Sequence, residues 1–354
     1  MTKVRFDQIA KEVRNTFSGD KAGVPIVGLE HIIPNELLLS DHDIDTENTF
    51  TKAFKKGQIL FGRRRAYQQK AAVATFDGIC SGDITVIEPI DGAVCPELLP
   101  FIIQNERFFE HAVRGSAGSL SPRVKWEHLS SYEIELPSYE EQVKLANTLW
   151  AAYNLKTSYK TLLTSIDEMV KSQFIEMFGG NQYKQAELDT LAKDWQKGQA
   201  FKKDNLMDDG KYKCIHYGEL FTKYGPIIDS VLSSTDDNMI KGSKKGDILF
   251  PASDVTPVGL ARCSALMLDD VLLGGDIIVL RPQAGIIPEY LSWAINMQKD
   301  QLLKRVTGSV VRHMSAKGLK SVTVPIPPKE IQQHFISIVK LADKSKQIAF
   351  SRAS

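Results

Sequence analysis

The sequence contains few cysteines and no motif that would let them bind a metal. Its four cysteines are Cys80, Cys95, Cys214 and Cys263, and none forms a CxxC or CxxH pair. The seven histidines are scattered and form no HExxH or HxH set. These absences argue against a structural or catalytic metal site. We expect the cysteines to be buried free thiols in a reducing cytoplasm.

Segments that would carry the chain to or across a membrane are also missing. The N-terminal run, MTKVRFDQIAKEV, is charged and has no apolar core of a secretory signal. No apolar run approaches the roughly 18 residues that span a bilayer. Hydrophobic residues make up 43% of the chain and charged residues 25%, which is typical of a globular protein. We therefore expect a cytoplasmic protein without a membrane partner.

The signatures of common catalysts are absent as well. No GxxxxGK[ST] loop is present, which argues against ATP-driven movement by this chain. No NPPY-type or DPPY-type motif and no glycine-rich cofactor loop occur, and an adenine methyltransferase needs both. The nearest candidate, Phe178-Gly179-Gly180, stands where a predicted helix ends. The sequence thus predicts a chain that is not an enzyme and holds no cofactor of its own.

An internal repeat is the strongest positive feature. Four blocks recur in the same order, each 189 to 193 residues after its first copy. They are KKGQILF and KKGDILF, SGDITVIEP and GGDIIVLRP, PELLPFIIQ and PEYLSWAIN, and LPSYEEQ and IPPKEIQ. A nearly constant offset indicates an old duplication with insertions confined to loops. Each copy is long enough to bury its own core.

The local patterns divide the chain into four segments. Residues 1–137 and 180–327 combine short β-rich runs, such as ILF, ITVI, IIVL and VTVPI, with Gly, Pro and Asp punctuation. Residues 96–113 and their counterpart 288–306 have helical periodicity, and Pro96 is predicted at the first helical position. Residues 138–179 and 328–354 form the remaining two segments, both predicted to be helical.

The central segment predicts one long helix. Ser138 and Glu141 form a capping box at its start, and Gly179-Gly180 end it. About 40 residues would make a rod about 60 Å long. A heptad-like apolar stripe is predicted at Leu145, Leu149, Ala152, Leu155, Tyr159, Leu162, Ile166, Met169 and Gln173. Such a stripe needs a partner helix, and the C-terminal segment offers a similar one at Ile331, Phe335, Ile338, Leu341 and Ile348. We expect the two helices to pair antiparallel.

Two polar loops of the first copy are candidates for nucleic-acid contact. Arginine pairs with guanine, glutamine with adenine, and either binds phosphate. The alternative is an ordinary solvated loop or, for the second segment, a Ser/Gly turn. The candidates in the loop after KKGQILF are Arg63, Arg64, Arg65, Tyr67, Gln68, Gln69 and Lys70. Those in the following Ser/Gly loop are Ser116, Ser119, Ser121, Arg123 and Lys125.

The second copy keeps the repeated blocks, which we call the frame, and changes these loops. After its KKGDILF block it has Ser253, Asp254 and Thr256 and no arginine. Aspartate accepts a hydrogen bond from the cytosine amino group. The later loop offers Arg312, His313 and Lys317. Changed loops on a common scaffold are expected if the two copies bind different base sequences.

The layout resembles the specificity subunit of type I restriction-modification enzymes. The resemblance rests on the ordered, duplicated motifs quoted above, together with GSAGSLSPRVKWEHL and SQFIEMFGG, and it covers essentially the whole chain. It implies two target recognition domains that bind the halves of a split sequence in double-stranded DNA. It also implies helices that set the spacing and dock two modification (methyltransferase) subunits, with restriction/translocase subunits in the nuclease form. Methylation and cleavage, with S-adenosylmethionine, ATP and Mg, would belong to those partners.

The sequence therefore predicts an α+β fold with two similar α/β-mixed target recognition domains separated by long antiparallel coiled-coil-like helices. The predicted function is non-catalytic DNA specificity. The alternative is a duplicated protein-binding scaffold that touches no DNA. A stand-alone enzyme is a third possibility, which the missing motifs disfavour.

Overall fold

The structure is a computed structural model that describes residues 2–180, 182–201, 203–238 and 240–353. It divides into two compact units, Met1–Thr157 and Ser158–Ser354. The division falls inside the long central helix rather than at either end of it. The finer division into four segments stays a prediction, and Ser354, the end of the last segment, lies outside the described residues.

The first unit combines short strands with short helices before the long one. Its strands are β1 (Thr2–Arg5), β2 (Ala10–Val13), β3 (Ile26–Val27), β4 (Leu38–Leu39), β5 (Lys52–Phe54), β6 (Ile59–Gly62), β7 (Ala71–Ala74), β8 (Gly78–Cys80), β9 (Ile84–Pro89), β10 (Ser116–Ala117), β11 (Arg123–Val124) and β12 (Glu133–Leu136). Its α-helices are α1 (Leu99–Ile103), α2 (Glu106–Arg114), α3 (Trp126–Leu129) and the start of α4 (Tyr139–Phe178). Turns of 3₁₀ helix lie at Phe6–Gln8, Leu29–His31 and Ala66–Gln68.

The second unit has a similar succession of elements. Its strands are β13 (Gln185–Glu187), β14 (Ala192–Lys197), β15 (Tyr212–Ile215), β16 (Ile227–Ile228), β17 (Ser234–Thr235), β18 (Asp247–Pro251), β19 (Ser253–Asp254), β20 (Ser264–Leu266), β21 (Leu272–Leu273), β22 (Ile277–Pro282), β23 (Arg312–His313) and β24 (Thr323–Pro325). Its α-helices are α5 (Leu188–Leu191), α6 (Glu219–Thr222), α7 (Pro257–Leu260), α8 (Pro288–Asn296), α9 (Lys299–Leu303), α10 (Ala316–Lys320) and α11 (Lys329–Ala353), with a 3₁₀ turn at Lys203–Asn205.

Each unit is built on a five-stranded sheet of the same topology. The strand order is β2-β9-β6-β7-β4 in the first unit and β14-β22-β18-β20-β16 in the second. The register also matches, because Ile59 of β6 pairs with Ile87 as Ile248 of β18 pairs with Leu280. The three-stranded sheets differ, with orders β3-β8-β5 and β17-β15-β21. The predicted α+β class and the internal duplication are confirmed.

The repeated ILF run forms the buried centre of each sheet. In the first unit Ile59 and Phe61 lie in one apolar cluster, and Leu60 lies in another. Because successive side chains of a strand point to opposite faces, both faces of β6 are covered. The same alternation places Ile248 and Phe250 in one cluster and Leu249 in the other. Burial on both faces explains why the run is continuously hydrophobic.

The predicted helices over 96–113 and 288–306 are each interrupted. The first splits into α1 and α2, and α1 begins after Leu98 with Pro100 in its first turn, so the prediction for Pro96 was wrong. Asn105 breaks the helix because it adopts an extended conformation and its side chain caps α2 by accepting from the Arg107 N–H. The second splits between α8 and α9 near Gln298.

The long helix begins and ends as predicted. The Glu141 carboxylate accepts from the Ser138 N–H at 3.0 Å, and the Glu141 N–H donates to Ser138 Oγ at 3.4 Å. At the other end the Gly179 N–H donates to the Ile175 carbonyl at 2.7 Å. Gly180 follows with φ +76°, a left-handed conformation that glycine adopts without strain.

Within the second unit, α4 and α11 pack antiparallel, as predicted. The rings of Phe174 and Phe335 lie 5.3 Å apart. Further along, Lys346 Nζ lies 2.6 Å from an Asp167 carboxylate oxygen. Residues with higher numbers on α11 therefore contact residues with lower numbers on α4, which is the antiparallel arrangement.

The face that α4 buries is only partly the predicted one, because Leu149 and Ile166 of the predicted stripe pack against the apolar clusters of their units. Val170, Phe174 and Phe178 are buried, whereas Leu162 and Met169 are 46% and 47% exposed. Leu145, Ala152 and Leu155 are exposed too. The aromatic rings decide the orientation, because they bury more area than the leucines.

The stripe of α11 is also only partly the predicted one. Its predicted members Ile331 and Phe335 pack in the apolar cluster. Ile336, Val339 and Ala342, which were not predicted, are buried too, whereas Leu341 is 66% exposed. Ile348, another predicted member, is 46% exposed. Both helices therefore carry apolar side chains outside their mutual contact.

No helix within the described residues combines the length and the apolar character needed to cross a bilayer.

A buried glutamine fixes the first turn of each long helix to its unit. Gln142 Oε1 accepts from the Cys95 N–H at 2.9 Å, and its Nε2 donates to the Pro137 carbonyl at 3.1 Å. Gln332, its counterpart, accepts from the Ile287 N–H at 3.4 Å and donates to the Pro327 carbonyl at 2.9 Å. The last residue of the LPSYEEQ and IPPKEIQ blocks therefore has one structural role in both copies.

Candidate nucleic-acid interface

The two predicted loops of the first unit come together. The Arg63 carbonyl accepts from the Val124 N–H at 3.0 Å, and the Arg65 N–H donates to the Pro122 carbonyl at 2.8 Å. These bonds extend β6 alongside β11, although the two segments are about 60 positions apart in sequence. We call residues 63–70 together with 116–125 the arginine surface.

An aspartate outside both loops organises this surface. The Asp83 carboxylate accepts from Arg123 Nε at 2.6 Å and from Arg64 Nη1 at 3.3 Å. The Arg123 hydrogen bond is the main cause that holds the pKa of Asp83 below its usual value, and Arg64 adds to it. Arg64 also donates to Ser121 Oγ at 3.2 Å. One carboxylate thus orients two guanidinium groups that remain partly exposed, by 38% and 46%.

Arg63 and Arg65 have no carboxylate partner among the described residues. Arg65 adopts a left-handed conformation with φ +54°, and Gln69 does so at +53°. Such backbone is uncommon for residues other than glycine and concentrates at functional sites. The turn between them is anchored by Ala66, which is 2% exposed. A rigid turn therefore presents the side chains of this loop.

The remaining candidates of the first unit differ in their availability. Tyr67 is 57% exposed, and Ser119 and Lys125 are exposed as well. Gln68 and Gln69 are half-buried. Lys70 Nζ donates to the Leu29 carbonyl at 2.6 Å, and Ser116 Oγ donates to the Ala112 carbonyl at 2.9 Å. The last two side chains are thus engaged by the unit itself.

The second unit builds its equivalent surface with different side chains. The Ala252 carbonyl accepts from the Met314 N–H at 2.9 Å, as Arg63 does from Val124. The pair Ser253 and His313 occupies the bridge position of Arg64 and Arg123. Their side chains meet at 3.2 Å between Oγ and Nδ1. We call residues 252–256 with 312–317 the serine–histidine surface.

The other candidates of the serine–histidine surface take part in local turns. The Asp254 carboxylate accepts from the Val255 N–H and from Thr256 Oγ1, both at 2.7 Å. Thr256 Oγ1 in turn caps α7 by accepting from the Gly259 N–H at 3.2 Å. Arg312 donates to the Gly308 carbonyl. Lys317 is exposed on α10.

Sequence reasoning missed Asp83, the acid that orients Arg64 and Arg123, and its counterpart Asp276. A signal was present, because SGD and GGD place the aspartate at the same point of a repeated block. The sequence alone does not show, however, that the carboxylate of such an aspartate lies beneath the arginine surface and binds its side chains.

The described residues offer no metal site and no activated thiol. No group of three or more His, Cys, Asp or Glu side chains among them is placed to hold a metal ion. All four cysteines are free and buried. Burial raises the pKa of Cys80 and of Cys263 to about 12 and that of Cys214 to about 11. Thiols with such values are poor nucleophiles at neutral pH.

The family description "Type I restriction modification DNA specificity domain" matches the chain twice, over residues 10–167 and 181–350. The chain belongs to the type I DNA specificity family. The two matches correspond to the two copies of the repeat.

Two curated relatives carry specificity-subunit names. The EcoDI specificity subunit of Escherichia coli is 25% identical over 189 residues, which are 50% of this chain and 41% of that protein. The match thus spans about two fifths of that relative's length. The putative MjaX specificity subunit of Methanocaldococcus jannaschii is 20% identical over 355 residues, covering 92% of this chain and 81% of that protein.

Solved structures share the fold. The S subunit of a type I restriction-modification system from M. genitalium aligns with a TM-score of 0.63 and 15% identity, covering 99% of this chain and 91% of that one. A chain from a type I R-M system complex aligns with a TM-score of 0.54 and 16% identity, covering 99% and 93%.

Proposed function

We propose that this member of the type I specificity family is the subunit that recognises a bipartite DNA target. The observation that carries the proposal is one frame with two different surfaces. Equivalent backbone positions hold Arg64 and Arg123 in the first unit and Ser253 and His313 in the second. A protein that bound the same site twice would have no use for this exchange. Different side chains suit two different half-sites.

The proposed DNA contacts are the candidates on both surfaces, with unequal roles. Arg63, Arg65 and Lys125 have no carboxylate partner among the described residues and suit phosphate or guanine contacts. Arg64 and Arg123, held by Asp83, suit contacts that need a fixed orientation. Lys70 and Ser116 support the loop and contribute least to DNA contact. The further candidates are Tyr67, Gln68, Gln69, Ser119, Ser121, Ser253, Asp254, Thr256, Arg312, His313 and Lys317.

The proposed protein partners are two modification subunits, joined by restriction/translocase subunits in the nuclease form. The support is an apolar stripe on α4 that stays exposed among the described residues. Leu155, Leu162 and Met169 recur at intervals of seven and are 53%, 46% and 47% exposed. Exposed apolar stripes of this kind mark protein contacts. S-adenosylmethionine, ATP and Mg would bind to the partners, and this chain would supply specificity without catalysis.

The decisive experiment removes the cations of the arginine loop. We expect the triple variant Arg63→Ala, Arg64→Ala, Arg65→Ala, co-expressed with its modification subunit, to bind duplex DNA more weakly. The slope of log affinity against log salt should fall by roughly one unit for each phosphate that the variant no longer neutralises. Arg64 should contribute less than its neighbours because Asp83 already offsets its charge. Binding is measured at several salt concentrations on the wild-type target, selected from randomised duplexes.

A matched control removes three other cations of the same unit. Lys3, Arg5 and Lys11 each form a surface ion pair outside the arginine surface. Their replacement by Ala should leave affinity and salt slope nearly unchanged. Equal slopes for the wild type and the arginine variant would place the DNA elsewhere. A wild-type complex with no affinity for DNA would favour the scaffold alternative instead.

A further inference from the structure

Asp83 and Asp276 occupy the same place in the two units. The Arg63 N–H donates to the Asp83 carbonyl at 2.9 Å, and the Ala252 N–H donates to the Asp276 carbonyl at 2.8 Å. Both aspartates immediately precede a six-residue strand next to the central one, β9 or β22. Their side chains therefore start from equivalent points beneath equivalent surfaces.

Their surroundings differ completely. Asp83 accepts hydrogen bonds from Arg64 and Arg123. Ser253 and His313 stand at those two positions in the second unit, and they contact each other. Among the residues that the structure describes, none donates a hydrogen bond to the Asp276 carboxylate or forms an ion pair with it. The second unit has the acid and neither of the cations that neutralise it in the first.

Asp276 lines an open cavity of about 290 Å³ with Lys197, Phe201, His216 and Tyr217. The rings are in mutual contact, His216 with Tyr217 at 4.5 Å and with Phe201 at 5.9 Å between centroids. Burial lowers the pKa of His216, which favours the neutral imidazole. Its Nδ1 accepts from the Gly218 N–H at 3.4 Å, which favours the tautomer with the proton on Nε2. The cavity thus offers aromatic surface, an anionic acceptor, a neutral donor and the Lys197 side chain, with which Asp276 forms no ion pair.

An unpaired carboxylate is costly near DNA unless it meets a donor. Phosphates are anionic, and guanine and thymine present oxygen acceptors in the major groove. Adenine presents an amino group beside the N7 acceptor, whereas cytosine presents the amino group alone. A carboxylate therefore discriminates most strongly in favour of cytosine.

We propose that Asp276 accepts a hydrogen bond from a cytosine amino group and so determines one base pair of the second half-site. The inference rests on the proposed DNA-recognition function. In the first unit the same acid is occupied by Arg64 and Arg123, so the equivalent position presents guanidinium donors there. The same position of the fold therefore presents hydrogen-bond donors to DNA in the first unit and a hydrogen-bond acceptor in the second.

The test uses the complex of this chain with its modification subunit and sequences the methylated sites recovered from randomised duplexes. Asp276→Asn should weaken the preference for a C·G pair at one position of one half-site by about 5- to 150-fold. The other half-site should be unchanged. Glu330→Gln is the matched control, because Glu330 is an exposed acid on α11, which lines no part of the cavity. It should leave both half-sites unaltered.

A second variant tests the same idea by adding the missing cations. The double substitution Ser253→Arg with His313→Arg should engage Asp276 as Arg64 and Arg123 engage Asp83, and abolish the same C·G preference. If neither variant alters any C·G position while the wild type selects a bipartite site, the inference is wrong and the proposed function stands. A wild-type complex without sequence preference would overturn the proposed function itself.

Discussion

Two polar contacts change between the units in contrasting ways, one in the part of the fold that both units share and one beneath the arginine surface. Inside the frame, Gln58 Nε2 donates to a Glu88 carboxylate oxygen at 2.8 Å. The second unit replaces both partners, and Arg281 donates to both Asp247 carboxylate oxygens at 2.8 Å. Beneath the arginine surface, the second unit replaces Arg64 and Arg123 by Ser253 and His313. It keeps the aspartate, as Asp276. The frame changes in compensated pairs because Gln58 and Asp247 are buried and each needs a partner. Beneath the surface, Asp276 gains no replacement partner among the described residues.

The buried pair of the second unit, Asp247 and Arg281, should show the largest loss of stability when it is broken. The side chain of Asp247 is 1% exposed and that of Arg281 23%. Arg281→Met leaves a buried carboxylate without its cation and should cost about 3–5 kcal/mol. Glu88→Met, the equivalent change in the first unit, leaves the Gln58 amide without its acceptor and should cost about 1–2 kcal/mol. Hydrogen exchange, followed peptide by peptide, assigns each destabilisation to its unit.

Transplanting the first unit's pair provides the control. Asp247→Gln combined with Arg281→Glu should recover most of the stability that Arg281→Met removes, because a neutral amide then faces a carboxylate as in the first unit. If Arg281→Met costs no more than Glu88→Met, the ion pair is no more important to its unit than the amide bond is to the other.

The glutamines at the start of the long helices should give a smaller difference. Gln142→Met keeps the side-chain volume and leaves the Cys95 N–H and the Pro137 carbonyl unpaired, at about 2 kcal/mol. Gln332→Met should cost about 1 kcal/mol, because its hydrogen bond with the Ile287 N–H is already long at 3.4 Å. Urea unfolding measures both. Gln333→Met, at an exposed neighbouring position, should stay within about 0.5 kcal/mol of the wild type. A larger cost at Gln332 than at Gln142 would contradict the distance argument.

The repeated blocks predicted the central strands, the capping box and the antiparallel pairing of α4 and α11, because these follow from local periodicity and from the duplication. The break at Asn105 was missed because it depends on one side chain capping its own backbone in preference to continuing a helix. The buried face of α4 was partly misassigned because the aromatic partners of Phe174 come from α8 and α11.

Local patterns also could not reveal how the arginine surface is organised. Arg64, Asp83 and Arg123 come from three separate segments, and only the folded chain brings them together. The sequence predicted which loops change between copies. It did not show that the acid between those loops is paired in one unit and free of a cation, among the described residues, in the other.

The smallest expected change in unfolding free energy comes from replacing the two aspartates, Asp83 and Asp276, by asparagine. Asp83→Asn removes the negative charge and one of the two acceptor oxygens that two partly exposed arginines share, and should cost about 1 kcal/mol, reduced by salt. Asp276→Asn should change the unfolding free energy by less than about 0.5 kcal/mol, since it breaks no ion pair within the described part of the chain.

The cost of Asp83→Asn should also depend on pH. The folded state holds the pKa of Asp83 below its usual value, mainly through the hydrogen bond from Arg123. Its stabilisation is therefore complete above the ordinary aspartate pKa of about 4 and disappears as pH falls through the lower folded value. Urea unfolding of the wild type and of the Asp83→Asn variant at about pH 6 and about pH 3 measures this. The cost should shrink at the lower pH. A cost of Asp276→Asn equal to that of Asp83→Asn at about pH 6 would mean that both acids are paired and that the polarity of the two surfaces is the same.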